Sequence, residues 1–273
     1  MIFNSPERIA GLTPLNPFAR SADGRPRVPD DIVARMRHVT NDEAWGVLER
    51  GHGYHFQFEG NWYNLHPEHV LVGRAVTARM VPLRPDLHEA VEADGASEGR
   101  SGGQNTWVID QLQEGDVLVV DLFAKVEDGT FIGDNLGTAI HARAKTGLVV
   151  DGGIRDLERV FALPDFNVFC RGAHPSAIYE VTLAEVNGPI RIGNATVLPG
   201  DVVLGTREGV TFIPPHLLEE VVTSSEETRQ RDVFGKMRLA EGTYTTGQID
   251  RGGWAEAIEA DYRAWLTTEK GTN

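Results

Sequence analysis

The chain has 273 residues and a formal net charge of −14, from 26 Lys and Arg against 40 Asp and Glu; that balance repels nucleic-acid backbones, and with no basic run to offset it nucleic acid is not an expected partner. A hydrophobic share of 41% with 24% charged residues is that of a globular protein with its own core, long enough for one decorated domain or two small ones. One cysteine, Cys170, leaves no intrachain disulfide and no multi-cysteine zinc site, and neither a signal-peptide start nor an apolar run near ~20 residues is present, so a soluble, cytoplasmic protein with no membrane partner is expected.

Residues 1–70 read as an N-terminal extension packed on a core. Ile32, Val33 and Met36 predict one or two helices within 30–48, capped by Asp30 or Asp31, and 55–58 alternates like a short strand. His52, His55, His66 and His69 sit among Trp45, Tyr54, Phe56, Phe58, Trp62 and Tyr63, a composition that suits a packing pad better than a ligand site. Residues 71–215 alternate apolar runs with Gly and Asp turns, predicting strands at 74–80, 116–123, 147–150, 166–170, 190–192, 202–204 and 210–213. The clearest helix between them is 134–145, with Leu136, Ala139, Ile140 and Ala144 on one side. The Gly- and Ser-rich stretch 92–105 reads as a mobile loop that could serve as a lid. Beyond 215 the chain is helical, over 216–235 and 252–266; the second helix is amphipathic through Trp254, Ala257, Ile258, Tyr262 and Trp265 and is expected to dock on the body or on another subunit. The fold class is a layered α/β core with an N-terminal extension and a C-terminal helical segment at 216–273.

The chemistry-bearing stretch is Gly133-Asp134-Asn135-Leu136-Gly137, a helix, then 147–156 ending Gly152-Gly153-Ile154-Arg155-Asp156. Gly133 permits a tight turn and Asp134 can cap the helix, whose first N–H groups, at Asn135 and Leu136, present the positive dipole end to a carboxylate or phosphate. Arg155 beside Asp156 at a strand end can take an anionic substrate and a hard cation together. Alone, Asp134 is a helix cap and Arg155–Asp156 a surface pair; only the set implies an anion site with a metal such as Mg²⁺.

That set resembles the signature of the class II pyruvate aldolases related to 4-hydroxy-4-methyl-2-oxoglutarate aldolase, a family that also contains the ribonuclease-activity regulator A proteins. Supporting it are Gly73-Arg74-Ala75-Val76-Thr77-Ala78, Gly115-Asp116-Val117-Leu118-Val119-Val120-Asp121, Pro199-Gly200-Asp201 and Glu208-Gly209-Val210. The resemblance covers about residues 70–215. It implies a swivelling β/β/α layered core, a homotrimer or hexamer with sites near subunit interfaces, and Mg²⁺ or Mn²⁺ as cofactor. It places Asp156 as the metal ligand, Asp134 as a metal contact through water, Asn135 and Leu136 on the substrate carboxylate, and Arg155 on the keto or enolate oxygen. The implied activity is metal-dependent carbon–carbon cleavage of a 2-oxo acid, by retro-aldol reaction or oxaloacetate decarboxylation. A non-catalytic regulator of an RNA-degrading enzyme and a metal-dependent isomerase or hydratase of a sugar-derived acid are the competing implications. Asp86, His88 and Glu89 fall where the family often lines its pocket, and His174 follows a strand in a loop expected to face it; Cys170 reads as a core residue rather than a nucleophile.

Overall fold

In the computed structural model, which describes residues 2–270 without the side chains of 269 and 270, the apolar runs at 117–120 and 148–150 are fully buried strands at the centre of a ten-stranded sheet. The chain opens with α1 (Pro6–Leu12), α2 (Asp30–Met36) and α3 (Asn41–Gly46), the last running on as a π turn over Val47–Gly51. There follow β1 (Phe58–Glu59), β2 (Tyr63–Asn64), β3 (Leu71–Pro82), α4 (Pro85–Ser97), α5 (Gln104–Ile109), β4 (Asp116–Ile132), α6 (Asp134–Ala144), β5 (Gly147–Ile154) and α7 (Leu157–Phe161). Then come β6 (Asn167–Cys170), β7 (Gly172–Ala173), β8 (Val181–Val186), β9 (Ile190–Ile192), β10 (Ala195–Val197), β11 (Val202–Thr206) and β12 (Gly209–Ile213). A 3₁₀ turn leads into α8 (Leu218–Ala240), α9 (Thr246–Ile249) and α10 (Glu256–Lys270).

Strands β3, β4, β5 and β6 are mutually parallel, so each step between them needs a crossover, supplied by α4 with α5, by α6 and by α7. Alternation along the strands divides the core. Leu118, Val120, Leu148 and Val150 face the helices and pack with Val91, Trp107, Ile140 and Val160. Val117, Val119 and Val149 face the other way, onto Phe169, Phe212 and the β9–β10 hairpin. Each such side chain contributes about 1.5–3 kcal/mol by leaving water.

The strand order is β1-β12-β11-β3-β4-β5-β6-β2, with β7 paired to β5 and β8 to β3. Strands β1 and β2 therefore stand at opposite ends of the order, yet only Gly60, Asn61 and Trp62 separate them in sequence. Chain of that length spans at most roughly 14 Å, so the sheet curls until its two ends nearly meet. Trp62 closes the seam edge-on against Phe169, with ring centres 6.4 Å apart, and Arg171 lies 3.8 Å over the Trp62 ring while donating to Glu59 at 3.0 Å and to the Gly60 carbonyl at 3.1 Å.

The predicted core strands and the 134–145 helix are present, with several corrections. Pro29, not Asp30 or Asp31, is the N-cap of α2, since Asp30 already has helical geometry. Residues 55–56 form a turn, and only Phe58 of the expected 55–58 strand enters the sheet. The expected mobile loop at 92–105 is mostly helix: α4 continues to Ser97 and α5 begins at Gln104, leaving 98–103 irregular. Gly95 is there because a Cβ would run into the Trp107 ring, and Gln104 ties the segment down by donating to Glu92 at 2.7 Å and accepting from the Leu183 N–H at 2.6 Å. No helix among the described residues is long and apolar enough to cross a membrane.

Two compact units divide the chain, Met1–Val222 and the segment from Thr223 onward. In the second, Phe234 on α8 packs with Trp254, Ile258, Tyr262 and Trp265, which occupies most of the predicted amphipathic face; Ala257 is exposed. Arg238 holds Asp261 through two hydrogen bonds, at 2.7 and 2.9 Å.

In the first unit, burial pushes the Asp201 carboxyl up to about 7, against one hydrogen bond accepted from the Leu198 N–H at 2.8 Å. The native state binds this proton more tightly than the unfolded chain, whose Asp titrates near ~4, so the group's contribution is fully present below that value and is lost as pH rises through about 7. Asp201→Asn removes that slope and is expected to be more stable than the parent at pH 8 by about 1–3 kcal/mol. Urea unfolding at several pH values checks this; an unchanged pH dependence would contradict it.

Candidate active site

The last residues of β4 and β5, Ile132 and Ile154, are register partners, and the Arg155 N–H donates to the Ile132 carbonyl at 3.0 Å. Gly133 and the Arg155-Asp156 pair thus leave two adjacent parallel strands side by side, at the carboxyl ends where α/β sheets bind ligands. Gly133 lets the two side chains lie over its backbone: a Cβ there would displace the Asp156 carboxylate and stand 3.0 Å from Arg155 Nε. Asp156 takes a left-handed backbone conformation (φ +52°, ψ +40°), which Asp tolerates better than most residues, and its carbonyl accepts from the N–H groups of Arg159 and Val160 to launch α7.

Arg155 Nε lies 3.4 Å from Asp156 Oδ2, and both side chains remain more than a third exposed, within reach of a ligand. Asp134 Oδ2 is paired with Arg159 at 3.1 Å, and its Oδ1 accepts from the Asn135 N–H at 2.9 Å. The Arg159 guanidinium in first place holds the Asp134 carboxyl below the ordinary carboxylate range, so it is ionised at neutral pH. Beside these groups lies a cleft of about 90 Å³, lined by residues 133–136 and Arg155 together with Asn105, Thr130 and Ile178.

The structure therefore brings Asp134, Asn135, Leu136 and Arg155 to one cleft, with Asp156 at its edge. Two expectations change. Asp134 is the first residue of α6 and Gly133 its N-cap, and the Asn135 N–H is taken up by Asp134. Asp86 pairs with Arg84 at 2.8 Å, and His88 Nδ1 lies 3.0 Å from Thr182 Oγ1; neither they nor Glu89 line this cleft. His174 Nδ1 lies 2.9 Å from Ser176 Oγ, bracing the loop whose Ala177 and Ile178 form the cleft wall. Burial pushes the Cys170 thiol up to about 12, in keeping with a core residue. Sequence reasoning missed Arg159 and Asn105. Arg159 lies one helical turn beyond Asp156, a spacing that could have flagged it; Asn105, buried and donating to the Phe131 carbonyl at 2.8 Å, carries no such signal.

Whether these residues suit a divalent cation can be judged from the donor set. Asp156 offers a carboxylate whose charged neighbour is Arg155, beside a backbone made accessible by the missing Cβ of Gly133. An oxygen-only set of one or two carboxylates completed by water is what Mg²⁺ or Mn²⁺ takes, and the Asp156 and Asp134 carboxylates are donors of that class.

Residues 46–212 match the RraA-like family, described as Aldolase/RraA. The chain belongs to this family. A relative from Halalkalibacterium halodurans named "Putative 4-hydroxy-4-methyl-2-oxoglutarate aldolase" is 34% identical over 139 residues, 48% of this chain and 63% of that protein. A protein of the same name from Azotobacter vinelandii is 31% identical over 157 residues, 52% of this chain and 96% of that protein. Among solved structures, RraAS2 of Streptomyces coelicolor, described as an unusual member of the RNase ES inhibitor RraA protein family, is 26% identical and superposes with a TM-score of 0.66 over 81% of this chain and all of that one. The RraA-like match ends at 212, before α8, and begins within the segment that supplies β1 and β2.

Proposed function

We propose that this RraA-like chain is a divalent-metal-dependent lyase that cleaves a carbon–carbon bond of a 2-oxo acid through a pyruvate enolate. The substrate is a 4-hydroxy-2-oxo acid, oxaloacetate or both, and the enzyme works as a homotrimer or hexamer in the cytoplasm. The observation that supports it most is the convergence of Asp134, Arg155 and Asp156 at the ends of two neighbouring parallel strands around Gly133. Relatives named "Putative 4-hydroxy-4-methyl-2-oxoglutarate aldolase", and an Aldolase/RraA family match, support the same reaction class.

Asp156 would hold Mg²⁺ or Mn²⁺ directly and Asp134 through water, and the bound ion would supply Lewis-acid polarisation of the 2-oxo group. The substrate carboxylate would lie against the first turn of α6, at Leu136 and at Asn135, whose N–H it would take over from Asp134 Oδ1, where the helix dipole favours an anion. Arg155 faces the oxygen that gains negative charge as the C3–C4 bond breaks, which is where a fixed cation lowers the barrier. In the aldol case the C4 hydroxyl proton must leave; Asp134, kept ionised by Arg159, orients the water that accepts it. Oxaloacetate needs no such base, because carbon dioxide departs directly.

The test is pyruvate release from oxaloacetate and from a panel of 4-hydroxy-2-oxo acids, with Mg²⁺ or Mn²⁺ and with EDTA. Release that EDTA abolishes and either ion restores is the expected result. No release from any substrate overturns the lyase and favours a regulator of an RNA-degrading enzyme, which the description of the Streptomyces coelicolor neighbour supports.

A further inference from the structure

Away from the cleft, at the far end of α7, the turn His66-Pro67-Glu68-His69 gathers two imidazoles and a carboxylate. The turn is closed by the His69 N–H donating to the His66 carbonyl at 3.0 Å, with proline at the position its fixed φ suits. Buried Asn167 anchors both ends, accepting from the His66 N–H at 3.3 Å and donating to the His69 carbonyl at 3.1 Å. The His66 ring, 8% exposed, is stacked between Phe161 and His69, with ring centres 4.5 and 5.2 Å away.

His66 Nε2 lies 3.0 Å from the Phe161 carbonyl oxygen, which can only accept, so Nε2 carries the hydrogen. In the neutral ring Nδ1 then presents a lone pair, and it faces another acceptor, Glu68 Oε1, at 3.0 Å. His69 Nε2 lies 3.9 Å from the same oxygen, and one ligand atom from each of the three residues falls within 4.8 Å of the others. An imidazole fixed through one N–H to a backbone carbonyl, its other nitrogen turned toward a carboxylate and a second imidazole, has the outer support that metal-binding histidines carry.

We propose that His66 Nδ1, the Glu68 carboxylate and His69 Nε2 form a second metal site, selective for a divalent transition ion of the zinc class. Two imidazoles and one carboxylate favour Zn²⁺ over Mg²⁺ and leave a fourth position open. Tetrahedral bonds of about 2.0–2.1 Å bring ligand atoms to about 3.4 Å apart, which rotations of the partly exposed Glu68 and His69 side chains supply. Glu68 and His69 also line a cavity of about 480 Å³ that includes Arg37 and Lys145, so the open position is accessible to water or a small anion. This cavity lies at the amino ends of the parallel strands, beside Leu71, Thr146 and Asn167, opposite the candidate active site. The site does not depend on the lyase proposal.

Titration of chelator-stripped, tag-free full-length protein with Zn²⁺ against a chromophoric competitor tests it, with Co²⁺ absorption reporting nitrogen ligation. With excess Mg²⁺ present to occupy the oxygen-only cleft, wild type and Asp156→Asn are expected to take up one tight equivalent of Zn²⁺ each with the same affinity. Glu68→Gln, an isosteric change at an exposed side chain, and His69→Ala, which leaves His66 its stacking on Phe161 and its hydrogen bond to the Phe161 carbonyl, are expected to bind at least about tenfold more weakly and to lose the Co²⁺ signal. Equal affinity in wild type and both variants, loss of uptake in Asp156→Asn, or no uptake by wild type would each overturn the proposal; the last would leave His66 and Glu68 as a hydrogen-bonded pair alone.

Discussion

For the proposed cleavage of a 2-oxo acid, Asp156→Asn and Arg155→Ala are each expected to lower turnover by at least about a hundredfold. The asparagine variant is the sharper test, since Asn accepts the left-handed backbone conformation of residue 156 and keeps the side-chain shape beside Gly133, losing only the charge. The 156 side chain makes no capping hydrogen bond at the start of α7, so that helix start does not rest on it. Arg155 is more than a third exposed, and its ion pair with Asp156 is of the kind that contributes little to stability. Circular dichroism and thermal midpoints close to those of the parent are therefore expected alongside the loss of turnover. Steady-state kinetics at saturating Mg²⁺ decide the matter: near-normal rates in both variants would sink the assignment of the site.

Asp116→Ala is expected to cost about 3–5 kcal/mol of folding stability. Arg25, from the segment ahead of α2, reaches the start of β4 and donates to Asp116 Oδ1 at 2.8 Å and Oδ2 at 3.0 Å, with both side chains under 5% exposed. Burial opposes the guanidinium charge, and Asp116 with Asp23 more than offsets it, so the Arg25 pKa is raised and the group stays charged. Removing Asp116 strands that charge with Asp23 alone and deprives the Gln113 N–H of its acceptor. A neighbouring clamp, Arg74 donating to the Val28 carbonyl and to Asp30, holds the same stretch of chain. Denaturant unfolding measures the effect; a loss below about 1 kcal/mol would mean that water or a moved Asp23 replaces the pair.

How far such features could be read from the sequence follows from the range of the interactions that make them. Val117 to Val120, Leu148 to Val150 and the helix between them are set by local hydrophobic pattern, and the Gly133-Asp134 and Arg155-Asp156 stretches are contiguous runs whose residue types carry the chemistry. Arg25 and Arg159 look like surface residues in sequence, and only the fold gives each its carboxylate. The 92–105 stretch misled because Gly95, a helix breaker by propensity, is selected by the Trp107 ring above it. His66 and His69 belong to an aromatic-rich stretch that suggested packing, and packing is half of what they do; the orientation of the His66 ring is fixed by the Phe161 carbonyl, which the sequence gives no means of placing.

The short bridge Gly60-Asn61-Trp62 at the seam of the curled sheet bears on the order in which the chain can assemble. Gln57, just before it, bonds to Phe212, 155 positions away, and Tyr63, just after it, to Cys170, 107 positions away. Neither partner exists during synthesis until most of the chain has emerged, so the segment made early must wait, unpaired, for strands made late. Loop-closure entropy makes this joining slower than forming the local helices, and Trp62 stays open until Phe169 arrives to cover it.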